Sequence, residues 1–302
     1  MAALSPNIAL GPIRLTVADL DGVASFYERA IGLRRMEHAA DRDAGVVRLG
    51  AGEDAAAGAP LLELVGDAAA PPRARHSCGL FHLALLVPDR HALAQALLRA
   101  VARGGALTGA SDHLVSEALY LNDPEGNGIE LYRDRPRDEW RHDARGQLEM
   151  ATLPLDLDAL LAELSGAERE PEAAAATAMP AGTTLGHLHL QVAELDAAER
   201  FYAETLGFDV TVRGYPGALF VAAGGYHHHL GLNTWSSAGG PPADPATRGL
   251  RDFAIRLPSP GERDAIAERA AAAGFPVREE DGGDRVVIDP FRIAVRLSAP
   301  AS

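Results

Sequence analysis

Two rhythms of apolar residues alternate along the chain. Ile13, Leu15 and Val17 stand at every second position, the period of a strand with one buried face. An Asp follows, and then Leu20, Val23, Phe26, Tyr27 and Ile31 fall at the spacing of an amphipathic helix. Gly32, in IGL, is placed to end that helix. The later runs VVRLG, LLELVG, GALFVAAGG and HHLGLNTW have strand character. The expected unit is a strand, a helix and about three more strands.

That unit recurs. LTVADLDGVASFYERAIGL at 15–33 returns as LQVAELDAAERFYAETLGF at 190–208, a constant offset of 175 (192 minus 17). GLFHLALLVPDR at 79–90 likewise matches GLRDFAIRLPSP at 249–260. The chain therefore reads as two similar halves of two repeats each, an α+β fold. In the second repeat, His91 to Arg103 is the expected helix, with ALYLND and GIELYR as later strands. Residues 137–182 break the rhythm. RDEWRHDARGQLEM is polar, LDALLAEL is a short helix, and EREPEAAAATAMPAG reads as a soft linker. The expected divisions are an N-terminal domain at 8–136, a linker with a short helix at 137–182 and a C-terminal domain at 183–300.

Composition narrows the field. The chain has 302 residues, 47% of them hydrophobic, enough for two cores. Its 42 acidic residues against 28 basic ones give a net charge of -14, which repels nucleic-acid phosphates and anionic lipid heads. A small neutral or metal-bound ligand is expected instead. Cys78 is the only cysteine, so no intramolecular disulfide and no zinc–thiolate cluster can form. That fits the cytoplasm, as does an N-terminus that reads as mature protein. No apolar run approaches the roughly 20 residues that span a bilayer.

Eleven histidines are present, and five crowd into two short segments. His187 and His189 of GHLHLQV share one strand face. In GGYHHHLGLNTW, read as a strand, His228 is expected to face away from His227 and His229. His82 lies in the first strand of the second repeat, and His113 lies in SDHLVSEALYLNDPEGNGIELY. Glu130 stands between Ile129 and Leu131 and points away from both. A lone core histidine is ordinarily a satisfied packing residue, and a lone strand glutamate ordinarily faces water.

The repeat supplies a control. Asp252 stands where His82 does, Ala294 where Glu130 does, and Pro12 and Arg14 where His187 and His189 do. The candidate ligands are thus confined to repeats two and three. Two imidazoles and a carboxylate suit a metal with nitrogen and oxygen ligands, and on non-haem iron(II) they leave open positions. Zinc or manganese could use the same donors.

At these residues the sequence resembles the vicinal oxygen chelate superfamily, whose unit is a βαβββ module. More narrowly it resembles the type I extradiol dioxygenases, in particular the catechol-2,3-dioxygenase-like two-domain proteins. GLFHLALLVPDR, GASDHLVSEALYLNDPEGNGIELYRDRPRDEW, LGHLHLQV and GGYHHHLGLNTW carry the resemblance, which extends over residues 8–298. It implies four βαβββ modules in two tandem domains. His82, Glu130 and His187 become ligands of Fe(II), and His228 the acid/base beside O₂, with His227 or His229 as alternatives. His113 and Tyr120 fall near the substrate oxygens. His189, His229 and Asn233 join them as substrate-binding candidates. The implied partners are a catechol-type diol and O₂ in the breakdown of aromatic compounds, with assembly as a homo-oligomer.

One departure from familiar members stands out. Their ligands come from the C-terminal domain alone, whereas here repeats two and three must contribute to one site, or a second chain must complete it. A glyoxalase-like isomerase or thiol transferase is one rival, but it has no use for the histidine run. A metal-free binding module is the other, and it gives no reason for ligands at these positions.

Overall fold

A computed structural model of the protein describes residues 3–36, 45–52, 59–144, 146–280 and 282–300. The first strands in chain order are β1 (Ala9–Val17), β2 (Arg34–Met36), β3 (Val46–Gly50) and β4 (Leu62–Gly66). Then come β5 (Gly79–Leu86), β6 (Leu107–Asp112), β7 (Ser116–Asn122), β8 (Gly128–Asp134) and β9 (Leu153–Pro154). The later ones are β10 (Thr184–Gln191), β11 (Asp209–Val212), β12 (Ala218–Ala222) and β13 (Leu230–Asn233). The last are β14 (Gly249–Arg256), β15 (Val277–Glu279), β16 (Arg285–Ile288) and β17 (Ala294–Ser298).

Two compact units interleave along the sequence. The unit that carries His187 is built from residues 1–16, 70–81 and 186–302; the unit that carries His82 is built from 17–69 and 82–185. The first holds the strand runs β15-β16-β17-β14-β1 and β11-β12-β13-β10. The second holds β4-β3-β2 and β5-β8-β7-β6-β9. Three repeats pair their opening and closing strands in parallel: β5 with β8, β10 with β13, and β14 with β17. Such pairing needs a crossover, which the helix after each opening strand supplies. Among the described residues no helix is long and apolar enough to cross a membrane.

The first helix starts at Leu20, where the Asp19 carboxylate accepts from the Gly22 N–H at 2.9 Å and caps a helix-end donor. Regular helix stops at Phe26, and Tyr27–Ile31 forms a wider π turn. The extra residue per turn brings both Tyr27 and Ile31 fully inside. Gly32 then ends the segment at φ 87°, where a Cβ would lie 2.6 Å from the Arg99 guanidinium. The related repeat does the same: Leu195–Glu199, a π turn at Arg200–Thr205, and Gly207 at φ 99°.

One expectation is corrected. The stretch read as soft linker contains a helix, Pro171–Ala176, packed on the helix Arg90–Ala102. Ala174 is buried there, and Arg103 Nη2 donates to the Ala175 carbonyl at 3.0 Å. Proline opens the helix, and the alanines favour it intrinsically.

The repeated Phe-Tyr pair also anchors the closing strands. Tyr27 donates to Asp123 Oδ2 at 3.3 Å in one unit, and Tyr202 to Asp289 Oδ2 at 2.9 Å in the other. Asp289 Oδ1 accepts from the Phe291 and Ile293 N–H groups at 2.8 and 2.7 Å. Burial nevertheless pushes its carboxyl up from 3.8 to about 7. The folded chain thus keeps a proton that the unfolded chain releases, and this contribution to stability is lost as pH rises from about 4 through about 7. Asn at 289 mimics the protonated acid. Relative to wild type, Asp289→Asn should gain about 2–3 kcal/mol between pH 5 and pH 8 in urea unfolding. A difference that stays constant with pH would refute the assignment.

Candidate metal centre

In the unit that carries His82, β5 and β8 run parallel with Ala84 opposite Glu130. Strand alternation puts His82, Ala84 and Glu130 on one face, and Tyr120 joins them because it pairs with Glu130 across β7. His82 and Glu130 are 5% and 2% exposed, and His82 Nε2 lies 2.9 Å from Glu130 Oε2. The Tyr120 ring lies 5.6 Å from that of His82. Ala84, Ala118 and Tyr132 form a buried cluster against which Tyr120 packs.

His113 orients Tyr120. Its Nδ1 lies 2.7 Å from the Ala151 carbonyl oxygen, which can only accept, so that nitrogen carries the proton. In the neutral ring Nε2 is then the acceptor, and Tyr120 donates its hydroxyl proton to it at 2.7 Å. The tyrosine oxygen keeps its lone pairs for other donors.

In the other unit, β10 presents His187, His189 and Gln191 on one face, and β13 lies parallel to it with Gly231 opposite His189 and Asn233 opposite Gln191. His187 is 1% exposed, and its ring centroid is 4.2 Å from that of His228 and 6.0 Å from that of His227. Gly231 provides the space for His189, since a Cβ there would stand 2.8 Å from that ring. Phe220, on the neighbouring strand, meets both His189 and His228. Asn233 is fully buried. Its Oδ1 accepts from the Trp235 N–H at 3.3 Å, while its Nδ2 has no partner.

The histidine run is not a strand, and the expected alternation fails. β12 ends at Ala222, Gly224 and Gly225 take φ of 63° and 66°, and β13 begins only at Leu230. His227 through His229 therefore lie in the connecting loop. His227 and His228, both buried, share a hydrogen bond between their Nδ1 atoms at 2.7 Å instead of facing apart. His229 turns elsewhere: its Nδ1 accepts from the Ala223 N–H at 3.2 Å, and its ring meets those of Phe208 and Tyr226.

His82 and Glu130 of one unit offer a nitrogen and an oxygen, and His187 of the other unit offers a second nitrogen. Two ligands about 2.1 Å from one metal, at right angles, stand roughly 3 Å apart. The His82–Glu130 separation of 2.9 Å fits such an edge. Two buried imidazoles and a buried carboxylate are also a donor set that a divalent cation of intermediate softness accepts.

Two of the repeat-related positions, Arg14 and Asp252, are spent on an ion pair. Arg14 Nε donates to both Asp252 oxygens at 2.8 and 2.9 Å, and Arg296 Nη1 pairs with Glu280 at 2.8 Å. Burial raises the Asp252 carboxyl to about 6 against the opposing pull of Arg14. Of the positions that correspond to the candidate residues, Asp252 and Arg14, which stand where His82 and His189 do, satisfy each other, while Pro12 and Ala294, which stand where His187 and Glu130 do, offer no donor side chain.

Residues that the sequence reading missed surround His189. Phe81 and Trp235 meet its ring at centroid distances of 5.3 and 5.1 Å. Their only sequence signal is position: Phe81 precedes His82, and Trp235 comes two residues after Asn233.

The glyoxalase/bleomycin resistance protein/dioxygenase superfamily matches residues 9–131 and 184–297, and the chain belongs to it. A protein of Bacillus subtilis (strain 168) named catechol-2,3-dioxygenase is 40% identical over 288 residues, covering 95% of each chain. Among solved structures, a protein of Bacillus subtilis subsp. subtilis strain 168, provisionally named a dioxygenase, aligns with 100% of this chain and 87% of its own at a TM-score of 0.63 and 13% identity. Glyoxalase I from Zea mays aligns with 96% of this chain and 92% of its own at 0.54 and 14%. At those identities the two structures speak to the fold alone, and they agree with the α+β architecture.

Proposed function

We propose that the chain is an extradiol ring-cleaving dioxygenase that acts on a catechol-type diol, with one iron(II) ion held by His82, Glu130 and His187. The observation that supports this reading most is the buried His82–Glu130 pair, with Nε2 2.9 Å from Oε2 in one unit, to which the buried His187 of the other unit would add the second nitrogen. The 40% identical relative, named a catechol dioxygenase, supports the choice of reaction. The bound metal would supply open positions where the two diol oxygens and O₂ meet.

The chain's own residues then bind, orient and move protons. Tyr120, its proton directed at His113, presents oxygen lone pairs to a substrate hydroxyl and can relay a proton to His113 Nε2. His228, whose Nδ1 is engaged by His227, exchanges protons at Nε2 on the oxygen side of the substrate. Burial of the donors excludes water, which strengthens each of these electrostatic interactions.

The test is elemental analysis of anaerobically prepared protein, followed by O₂ uptake with catechol. The expected result is about one iron per chain and one O₂ consumed per ring opened, because both oxygen atoms enter the product. Protein that carries zinc or manganese, consumes no O₂ and isomerises a hemithioacetal would replace this reading with the glyoxalase-like one.

A further inference from the structure

Among the described residues four large apolar side chains are exposed: Phe81, Val101, Leu153 and Trp235. Two of them, Phe81 at 39% and Trp235 at 46%, touch each other edge to face at 5.4 Å. Both also meet the His189 ring, and His189 shares a strand face with His187 two residues away. The exposed aromatics are therefore gathered beside the strand face that carries His187 rather than scattered over the surface.

Trp235 is exposed but not loose. Its Nε1–H donates to the Pro216 carbonyl at 2.9 Å, and its indole lies so close over Gly217 that a Cβ there would stand 3.0 Å from Cδ1. Tyr215 and Phe220 extend the stack behind it. Holding a large aromatic ring in place while leaving nearly half of it in water forgoes hydrophobic stabilisation that burial would provide. A fixed apolar wall beside a polar centre is the arrangement of a ligand pocket, with orientation set by a few polar groups and affinity by the wall.

We propose that Phe81 and Trp235, backed by His189, form an aromatic clamp for an uncharged apolar substituent on the diol ring, so that the chain selects aryl- or alkyl-substituted catechols over carboxylated ones. The proposal rests on the ring-cleavage reading. The clamp offers π faces and edges to a second ring or an alkyl chain. A carboxylate placed there would lose its hydration against aromatic carbon, and it would approach a chain of net charge -14.

The experiment compares 4-phenylcatechol with 3,4-dihydroxyphenylacetate. The expected ratio of kcat/KM favours the phenyl compound by about tenfold or more, the combined worth of two aromatic contacts. Trp235→Ala and Phe81→Ala should each lower that ratio about three- to tenfold, and Trp235→Phe should keep most of it. A second readout needs no turnover. The chain has two tryptophans, so in Trp140→Phe protein the emission comes from Trp235 alone. Anaerobic 4-phenylcatechol should quench it, and 3,4-dihydroxyphenylacetate at equal concentration should not.

An unchanged ratio in both alanine variants, or equal quenching by the two compounds, overturns the clamp. So does a fall in oligomeric mass on Trp235→Ala with the ratio intact, which would make the patch an interface between copies. Selective quenching with no ring cleavage of any diol keeps the clamp and defeats the dioxygenase reading. Ring cleavage without selectivity does the reverse.

Discussion

Glu130→Ala and His187→Ala should each lose bound iron and ring cleavage together. Removing a group that merely orients a ligand costs about 10–100-fold in metal affinity or activity, so removing a ligand should cost at least about 10²-fold. The two variants act through different strands, β8 and β10, and a shared loss of metal is what one common ion demands. The internal repeat supplies the comparison. Asp252→Asn alters the position that corresponds to His82, yet Asp252 serves Arg14 and Arg296. It should lower Tm, because breaking a buried ion pair typically costs about 3–5 kcal/mol, while iron content stays at the wild-type level. Elemental analysis and thermal unfolding on the same preparations separate the two effects. Full iron and full rate in either ligand variant would refute the assignment.

Much of this organisation was legible because it rests on periodicity. The two-residue rhythm of Ile13, Leu15 and Val17 is a strand whose three side chains are fully buried, and the helix after it ends at Gly32 as its position suggests. The pairing of Arg14 with Asp252 also accounts for the repeat control, since both residues occupy positions where the other repeats carry histidines. The features that periodicity could not reveal depend on departures from regular geometry. The π turns at Tyr27 and Arg200 leave the apolar spacing nearly unchanged while rotating the residues after them about the helix axis. The alanine run at 173–176 has little polarity pattern of its own, and its helix forms against Arg90–Ala102, a partner remote in sequence. Exposure of Phe81 and Trp235 is likewise set by remote neighbours, and no local pattern distinguishes them from core residues.

The histidine run is the most consequential departure, and it changes the expected effect of substitution there. On a strand, His228 would act alone and His227 would point away. In the loop, the two Nδ1 atoms are 2.7 Å apart, so one imidazole donates and the other accepts. When His228 takes a proton at Nε2, it can pass the Nδ1 proton to His227, and the pair holds the correct tautomer for the next step. His228→Ala should therefore bind iron and diol nearly normally and slow only the oxygen-dependent steps, by about 10²–10⁴-fold. His227→Ala should also be impaired, by about 10–100-fold, the usual cost of losing the group that orients a functional imidazole. His229, engaged with the Ala223 N–H, should be the mild position of the three. Anaerobic diol titration, then rapid mixing with O₂, separates binding from chemistry. If His227→Ala matches the wild-type rate while His228→Ala is slow, the hydrogen-bonded pair has no part in the proton transfer. If His228→Ala loses its iron outright, the acid/base role fails, and the residue belongs with the ligands instead.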